Sequence, residues 1–192
     1  MGIIYMPLIN NYSVIPSIFN THWRFRRLLS AFILLISLLS HVTIQADEAL
    51  HIFEQSSYQK ILNDYNHKAF ILVLWSIDCP PCYEELLLLS KYARKYREVN
   101  LVFVSTDAVS EINLIRKLIK ELELQQYEHW IFSSGQQRRL SYTIDPKWHG
   151  ELPRSYFFIP CKSRQERSGK LTIKELDLFR QNTQTAGCYS ET

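Results

Sequence analysis

The sequence is poor in methionine and glycine, and no acidic residue occurs before Asp47. Only 2 methionines and 5 glycines are found among 192 residues, and no internal repeat or long Gly/Ser linker interrupts the chain. The arginines at positions 24, 26 and 27 account for the formal net charge of +3, which leaves 19 of the 22 basic side chains against 19 acidic ones. Without a basic excess there is no electrostatic surface for nucleic acid, so no nucleic-acid partner is predicted.

The N-terminal segment has the organisation of an export signal. The three arginines precede an apolar run at 28–39, and Ala46 stands directly before Asp47. A basic region, an apolar region and a small residue at a cleavage point are typical of a signal peptide. Two further apolar residues after the run lengthen it toward the ~20 residues of a membrane span, so a retained anchor is the alternative.

Residues 1–46 are therefore predicted to be a signal peptide or N-terminal membrane anchor. Residues 47–192 are predicted to form one domain, because about 146 residues suit a single core. The expected location is periplasmic or otherwise extracytoplasmic, with a tether to the inner membrane if the anchor is retained.

Two of the four cysteines stand together in the segment Cys79-Pro80-Pro81-Cys82. The segment follows a continuous apolar run at 70–74, which predicts a buried strand. Apolar residues then recur every three or four positions, which predicts a helix. A helix N-terminus favours a thiolate, and two sulfurs at this spacing can form a small disulfide ring. The pattern predicts a redox site with Cys79 as the nucleophile and Cys82 as the resolving thiol.

Strands and helices alternate along the rest of the predicted domain. An initial helix is expected over 48–64, and further strands over 100–105 and 129–132. Helices are expected after Ser110, a candidate N-cap, and over 136–142. The polar stretch 162–169 obscures any hairpin, and 171–181 suggests a short strand and a closing helix. This alternation predicts an α/β fold with a partly parallel sheet.

A second signal lies at Leu152-Pro153, directly before the apolar, strand-like segment 155–159. A proline just ahead of a buried strand is a candidate for a cis peptide bond. Three side chains flank this loop and could shape the choice of substrate: Trp148, His149 and Arg154.

With these motifs the sequence resembles the thioredoxin superfamily, and within it the extracytoplasmic thiol-disulfide oxidoreductases of the TlpA, ResA and DsbE kind. The resemblance covers roughly residues 48–182. It is carried by the segment 74–82, by Glu85, by the strand end at 102–107 and by 150–153. It implies a thioredoxin-like fold, with a central mixed β-sheet flanked by helices, and disulfide exchange without a cofactor.

The resemblance also implies roles for individual residues. Cys79 would attack a substrate disulfide, and Cys82 would release the product from the mixed disulfide. Glu85 would exchange protons with Cys82, and Pro153 would be a cis proline lying against the cysteine pair. The residues expected to contact the substrate border these groups: Trp75, Pro80, Pro81 and Leu152.

Asp78, directly before Cys79, bears on the direction of electron transfer. Its carboxylate opposes a thiolate ~6 Å away by roughly 1 to 3 kcal/mol at an effective dielectric between 20 and 80. A less favoured thiolate makes the disulfide less oxidising, which favours a reductase. The expected partners are disulfide-containing exported proteins and an upstream thiol donor, soluble or membrane-bound. A disulfide oxidase or isomerase is the main alternative.

A copper or zinc carrier is a further alternative, since thiolates bind both metals and His129 and His149 could assist. Such a carrier would be expected to offer a histidine or methionine as a third ligand, and no methionine follows Met6. No metal and no cofactor are therefore assigned.

Cys161 and Cys188 form the remaining pair. In an oxidising compartment two such cysteines most often form a structural disulfide. Closing a loop of this length stabilises the fold by roughly 3 to 4 kcal/mol in the chain-entropy model. An electron relay to Cys79 and Cys82, or two free thiols, are the alternatives.

Overall fold

Six strands and five helices form the part of the chain that the computed structural model describes, residues 50–185. The strands are β1 (Leu50–Phe53), β2 (Phe70–Trp75), β3 (Asn100–Ser105), β4 (Glu128–Phe132), β5 (Arg154–Phe158) and β6 (Gln165–Ser168). The helices are α1 (Ser57–Asp64), α2 (Pro80–Lys95), α3 (Ile112–Glu121), α4 (Gln137–Ile144) and α5 (Ile173–Thr185), and a 3₁₀ turn (Val109–Glu111) precedes α3.

The six strands form one mixed sheet in the order β1-β4-β3-β2-β5-β6. The first four strands in this order run parallel to one another. β5 is antiparallel to β2, and β6 is antiparallel to β5. The predicted α/β fold with a mixed sheet is confirmed.

Helices cover both faces of the sheet because its central strands are apolar on both. Ile71 and Val73 of β2 join a core cluster with residues of α2, α3 and α5. Leu72 and Leu74 join a second cluster with residues of α1 and α4. Successive side chains of a strand point to opposite faces, so a strand covered on both faces is apolar throughout.

The predicted helix over 48–64 is wrong in its first part. Leu50–Phe53 forms β1, which pairs with β4 so that Leu50 lies opposite His129 and Phe53 opposite Phe132. Phe53 is fully buried by this arrangement. Pairing with a strand far away in sequence outweighs the local helical pattern, and the helix begins only at Ser57.

One element was obscured in the sequence, and two local expectations are wrong. The polar stretch 162–169 contains β6, an edge strand whose exposed side chains are polar. The segment 171–181 contains no strand, because the chain enters α5 at Ile173. Ser110 lies within the 3₁₀ turn, and no side chain caps α3.

The predicted signal peptide or anchor at 1–46, and Cys188, lie outside the described residues. The signal peptide or anchor, the pairing of Cys188 with Cys161 and the division of the chain at residue 46 therefore stay predictions. Within 50–185, no helix is long and apolar enough to cross a membrane.

Candidate active site

The cysteine pair lies where β2 ends at Trp75 and α2 begins at Pro80. Cys79 is the N-cap of α2, with φ and ψ of −116° and 94°. Pro80 and Pro81 occupy the first two helical positions and are exposed. Proline is well suited there because its fixed φ is helical and the first N–H groups of a helix have no intrahelical acceptor. The sequence therefore starts the helix and puts Cys79 at its positive end.

A disulfide joins Cys79 and Cys82, with an S–S distance of 2.04 Å and a Cα–Cα distance of 5.2 Å. Cys82 is fully buried, whereas Cys79 is half-buried. The Cys82 N–H donates a hydrogen bond to Cys79 Sγ, with a nitrogen–sulfur distance of 3.3 Å. The more accessible cysteine is thus also the one whose sulfur accepts a backbone hydrogen bond, which favours the thiolate form of Cys79.

The loop between β2 and Cys79 is held by Asp107, which follows the neighbouring strand β3. The Asp107 carboxylate accepts hydrogen bonds from Ser76 Oγ at 2.7 Å, from Ile77 N–H at 3.1 Å and from Ser105 Oγ at 2.6 Å. No role for Asp107 is apparent from the sequence alone. Its position offered a signal, because the carboxyl ends of adjacent parallel strands lie at the same edge of a sheet.

Glu85 is fully buried although it carries a carboxyl group. Its Oε1 accepts a hydrogen bond from Ser155 Oγ at 2.8 Å, and its Oε2 accepts one from the Leu171 N–H at 2.9 Å. Burial raises the pKa of Glu85, and the two hydrogen bonds offset only part of this increase. Because Glu85 follows Cys82 by three residues, both lie on the buried face of α2.

The Leu152–Pro153 peptide bond is cis, as the sequence predicted. Pro153 is buried and directly precedes β5, whose Arg154 pairs with Leu74 near the end of β2. The proline loop therefore lies at the end of β2 that leads to Cys79.

The side chains around the cysteine pair differ in accessibility. Leu152 is half-buried and packs against the core cluster that contains Cys82. Trp75 is 2% exposed, and its indole Nε1 has no hydrogen-bond partner among the described residues. Pro80 and Pro81 are on the surface. Of the four residues predicted to contact the substrate, Trp75 is therefore the one with a buried side chain. Their roles stay predictions.

Two of the three side chains that flank the proline loop are buried. Trp148 is 8% exposed, and its Nε1–H donates to the Glu151 carbonyl oxygen at 2.8 Å. Arg154 is 9% exposed and forms an ion pair with Asp145. His149 is on the surface. Arg154 and Trp148 are thus engaged within the protein, and His149 is the one of the three that is free to face a substrate.

His129, considered above as a metal ligand, belongs to the core. It is 3% exposed, its ring stacks on Phe103 with centroids 5.0 Å apart, and its Nε2 lies 2.9 Å from the Leu124 carbonyl oxygen. Burial lowers the pKa of His129 to about 4. In the described part of the chain, no group of three His, Cys, Asp or Glu residues is arranged to bind a metal ion.

Neither a family model nor a curated protein sequence matches the chain. Several solved structures, including the following three, are similar to it. A secreted Mycobacterium tuberculosis disulfide oxidoreductase homologous to E. coli DsbE is 17% identical over 61% of this chain and 83% of that chain, with a TM-score of 0.49. StoA from Bacillus subtilis is 21% identical over 59% of this chain and 83% of that chain, with a TM-score of 0.45. A thiol:disulfide interchange protein of the thioredoxin family from Chlorobium tepidum is 16% identical over 62% of this chain and 82% of that chain, with a TM-score of 0.49. At these identities a similar fold does not establish a shared substrate.

Proposed function

We propose that this protein is a thiol-disulfide oxidoreductase that reduces disulfide bonds of exported proteins. One observation carries the proposal: Cys79, a half-buried residue at a helix N-terminus, is joined by a disulfide to the fully buried Cys82. An accessible attacking thiol beside a protected resolving thiol is the arrangement that two-step disulfide exchange needs.

The reaction begins with the reduced pair. The Cys79 thiolate attacks a substrate disulfide, forms a mixed disulfide, and displaces one substrate sulfur as a thiolate. The Cys82 thiolate then attacks Cys79 Sγ and displaces the second substrate sulfur. The substrate gains two electrons and, after protonation, two thiols, while the protein is left with the Cys79–Cys82 disulfide. An upstream thiol donor restores the reduced pair by the reverse exchange.

Glu85 is proposed to accept the proton that Cys82 loses before its attack. The support is its burial on the same helix face and its raised pKa, which brings the carboxyl group closer to the pKa of a thiol. Ser155 and Leu171 orient the two carboxyl oxygens by hydrogen bonding.

The environment of Cys79 supports a reductant. Pro80 and Pro81 have no N–H, so the Cys82 N–H is the one hydrogen-bond donor to Cys79 Sγ among the described residues. Asp78, the preceding residue, is exposed and adds a negative charge. A thiolate with few donors and a neighbouring carboxylate is weakly stabilised, so its disulfide is less oxidising. An extracytoplasmic location is proposed from the sequence of residues 1–46.

The deciding experiment is the reduction potential of the Cys79–Cys82 pair in glutathione and dithiothreitol buffers, with each disulfide assigned by mass spectrometry. A value near the ~−270 mV of thioredoxin is expected, and a value near the ~−120 mV of DsbA would instead indicate an oxidase or isomerase. The order of attack is tested with Cys82→Ala, which should accumulate mixed disulfides with a protein substrate. Cys79→Ala is the matched control and should accumulate none.

A further inference from the structure

The loop that ends at Pro153 is supported by buried charges that disulfide exchange does not use. Arg154 follows the proline directly, and its Nη2 donates to Asp145 Oδ2 at 3.0 Å. Its Nη1 donates to Glu151 Oε1 at 3.3 Å and to Ser168 Oγ at 2.5 Å. One guanidinium group therefore joins the C-cap of α4, the loop itself and strand β6.

The same loop is held by bonds that involve its own backbone. Glu151 Oε2 accepts a hydrogen bond from the His149 N–H at 3.2 Å, and the Glu151 carbonyl oxygen accepts one from Trp148 Nε1. The Pro153 carbonyl oxygen accepts one from the Gly169 N–H at 2.8 Å. The backbone on either side of Leu152 is thus tied to the groups that Arg154 organises.

Asp145 keeps its charge in this buried setting. Burial alone would raise the pKa of Asp145, but hydrogen bonds from the Lys147 N–H, Arg154 and Tyr156 lower it below its ordinary value. The Tyr156 ring lies beside two guanidinium groups, with the Cζ of Arg154 5.2 Å and the Cζ of Arg164 4.7 Å from its centroid. A buried ion pair of this kind adds little stability beyond what apolar side chains of equal volume provide. Its particular contribution is a defined geometry.

The hydrogen bonds of Asp145 and Arg154 hold the proline loop and do not involve the cysteine sulfurs. Among the described residues, no hydrogen bond of Asp145 or Arg154 reaches helix α2 or the cysteines. Arg154 pairs with Leu74 of β2. The loop that Arg154 holds therefore lies beside the end of β2, from which the chain continues to Cys79. A change in this network is therefore expected to act first on the loop that contains Leu152.

We infer that Asp145 and Arg154 are positioning residues that hold the Leu152 backbone for an extended polypeptide substrate. The inference rests on the proposed function and adds to it a basis for preferring polypeptides. Leu152 packs against the core cluster that contains Cys82, so a polypeptide bound at the cysteine pair would pass its backbone, whereas a small aromatic disulfide has no peptide groups to offer. The network therefore acts on the binding of protein substrates more than on the sulfur chemistry.

The test compares insulin with 5,5′-dithiobis(2-nitrobenzoate) as disulfide substrates of the full chain. Arg154→Lys keeps the charge but loses the fork that reaches three partners. Asp145→Asn combined with Arg154→Met removes both charges, so that neither is left buried alone. We expect the KM for insulin to rise about tenfold in the double variant, which is the loss of affinity that one misplaced backbone hydrogen bond would cause. The increase in Arg154→Lys should be smaller. The insulin kcat, the rate constant with the small disulfide and the reduction potential should change far less.

Arg167→Met is the matched control, because Arg167 lies in the neighbouring strand β6 and forms an exposed ion pair with Glu175. It should leave the insulin KM unchanged. Circular dichroism at the assay temperature establishes that each variant is folded, and Arg154→Lys provides a milder change if the double variant is not. The inference is overturned if folded variants keep the wild-type insulin KM, or if the rates with insulin and the small disulfide fall together. Failure of the wild type to reduce either substrate would overturn the proposed function itself.

Discussion

Glu85 Oε1 lies 2.8 Å from Ser155 Oγ, and this hydrogen bond joins the helix of the cysteine pair to the strand that follows Pro153. The second carboxyl oxygen of Glu85 binds the Leu171 N–H just before α5. One buried side chain therefore links α2, β5 and the entry to the last described helix. A carboxyl group in this position has consequences for stability that depend on pH.

Glu85→Gln is expected to increase the free energy of unfolding at pH 7. The folded-state pKa of Glu85 is raised above its ordinary value of 4.5, so ionisation between these two pKa values destabilises the folded state. The advantage of the variant should grow with pH by at most ~1.4 kcal/mol per unit in this interval and then level off. The glutamine amide can still donate to Ser155 Oγ while its oxygen accepts from Leu171.

Urea unfolding of the oxidised protein between pH 4 and pH 8 measures this difference. Glu84→Gln is the control, because Glu84 lies on the same helix but is exposed and paired with Lys170. Its curve should remain within about 1 kcal/mol of the wild type, as is typical of surface ion pairs. A Glu85→Gln variant that is less stable than the wild type at every pH would contradict the prediction.

Asp78→Asn is expected to let Cys79 react as a thiolate at lower pH. Asp78 is exposed, so water screens its carboxylate. Its repulsion of the Cys79 thiolate is therefore expected to be close to the lower limit given above. We expect the midpoint of Cys79 alkylation to fall by about 0.5 pH unit. Iodoacetamide kinetics on the reduced protein measure the midpoint, and Asp64→Asn, a change at an exposed carboxylate of α1, should not move it. An unchanged midpoint in Asp78→Asn would remove Asp78 from the account of electron direction.

His129 is expected to reduce the stability of the fold in acid. Its folded-state pKa of about 4 lies below the ordinary 6.5, so the unfolded chain binds the proton more readily. The contribution of neutral His129 is complete above pH 6.5 and is lost as the pH falls toward 4, by ~1.4 kcal/mol per unit. His129→Gln can still donate to the Leu124 carbonyl oxygen but does not titrate, so its stability should depend less on pH.

Unfolding free energies measured from pH 7 to pH 4 compare the pH dependence of the wild type with that of His129→Gln. His67→Asn serves as the control, because His67 is exposed and has a φ of 63°, a left-handed conformation that asparagine tolerates. This control should keep the full acid sensitivity of the wild type. Equal slopes for His129→Gln and the wild type would show that another group is responsible.

Cys161 and Cys188 are expected to form a disulfide in the oxidised protein. Cys161 follows Pro160, which lines an open cavity of about 470 Å³ together with Thr183 and Gln184 near the end of α5. Cys188 comes three positions after Thr185, a span of at most ~10 Å, so it can approach this cavity. Peptide mapping without reduction should recover the Cys161–Cys188 link.

Cys188→Ser should then lower the free energy of unfolding by roughly 3 to 4 kcal/mol in the chain-entropy model. The comparison requires the Cys79–Cys82 disulfide to be intact in both proteins, which the same peptide map establishes. Recovery of Cys161 and Cys188 as separate alkylated peptides from the oxidised protein would exclude the structural pairing.

The strongest sequence predictions came from signals contained in short segments. The apolar run of β2, the cysteine spacing and the helical repeat of α2 lie within 26 consecutive residues, Phe70 to Lys95. The cis bond at Leu152–Pro153 was predicted from the proline and the apolar strand that follows it. Each signal reflects a constraint of the local backbone, such as the fixed φ of proline or the periodicity of side chains.

Most features that were missed from the sequence depend on partners distant in the chain. β1 is a strand because β4, about 80 residues later, lies beside it. β6 was missed for another reason, since its side chains are polar although it pairs with the preceding strand, β5. Asp107 could not be assigned to the site until β3 was known to lie next to β2.

The sequence by itself therefore determined which cysteines form the pair at the helix start, the helix that carries them and the proline loop, because local sterics and periodicity suffice for these. Only the tertiary structure decided that Glu85 binds Ser155, that Asp107 holds the approach to Cys79 and that Arg154 is engaged with Asp145. Hydrogen bonds and ion pairs of this kind require groups to meet within about 3 Å, and only folding brings residues that are 9 to 70 positions apart in the sequence to that distance.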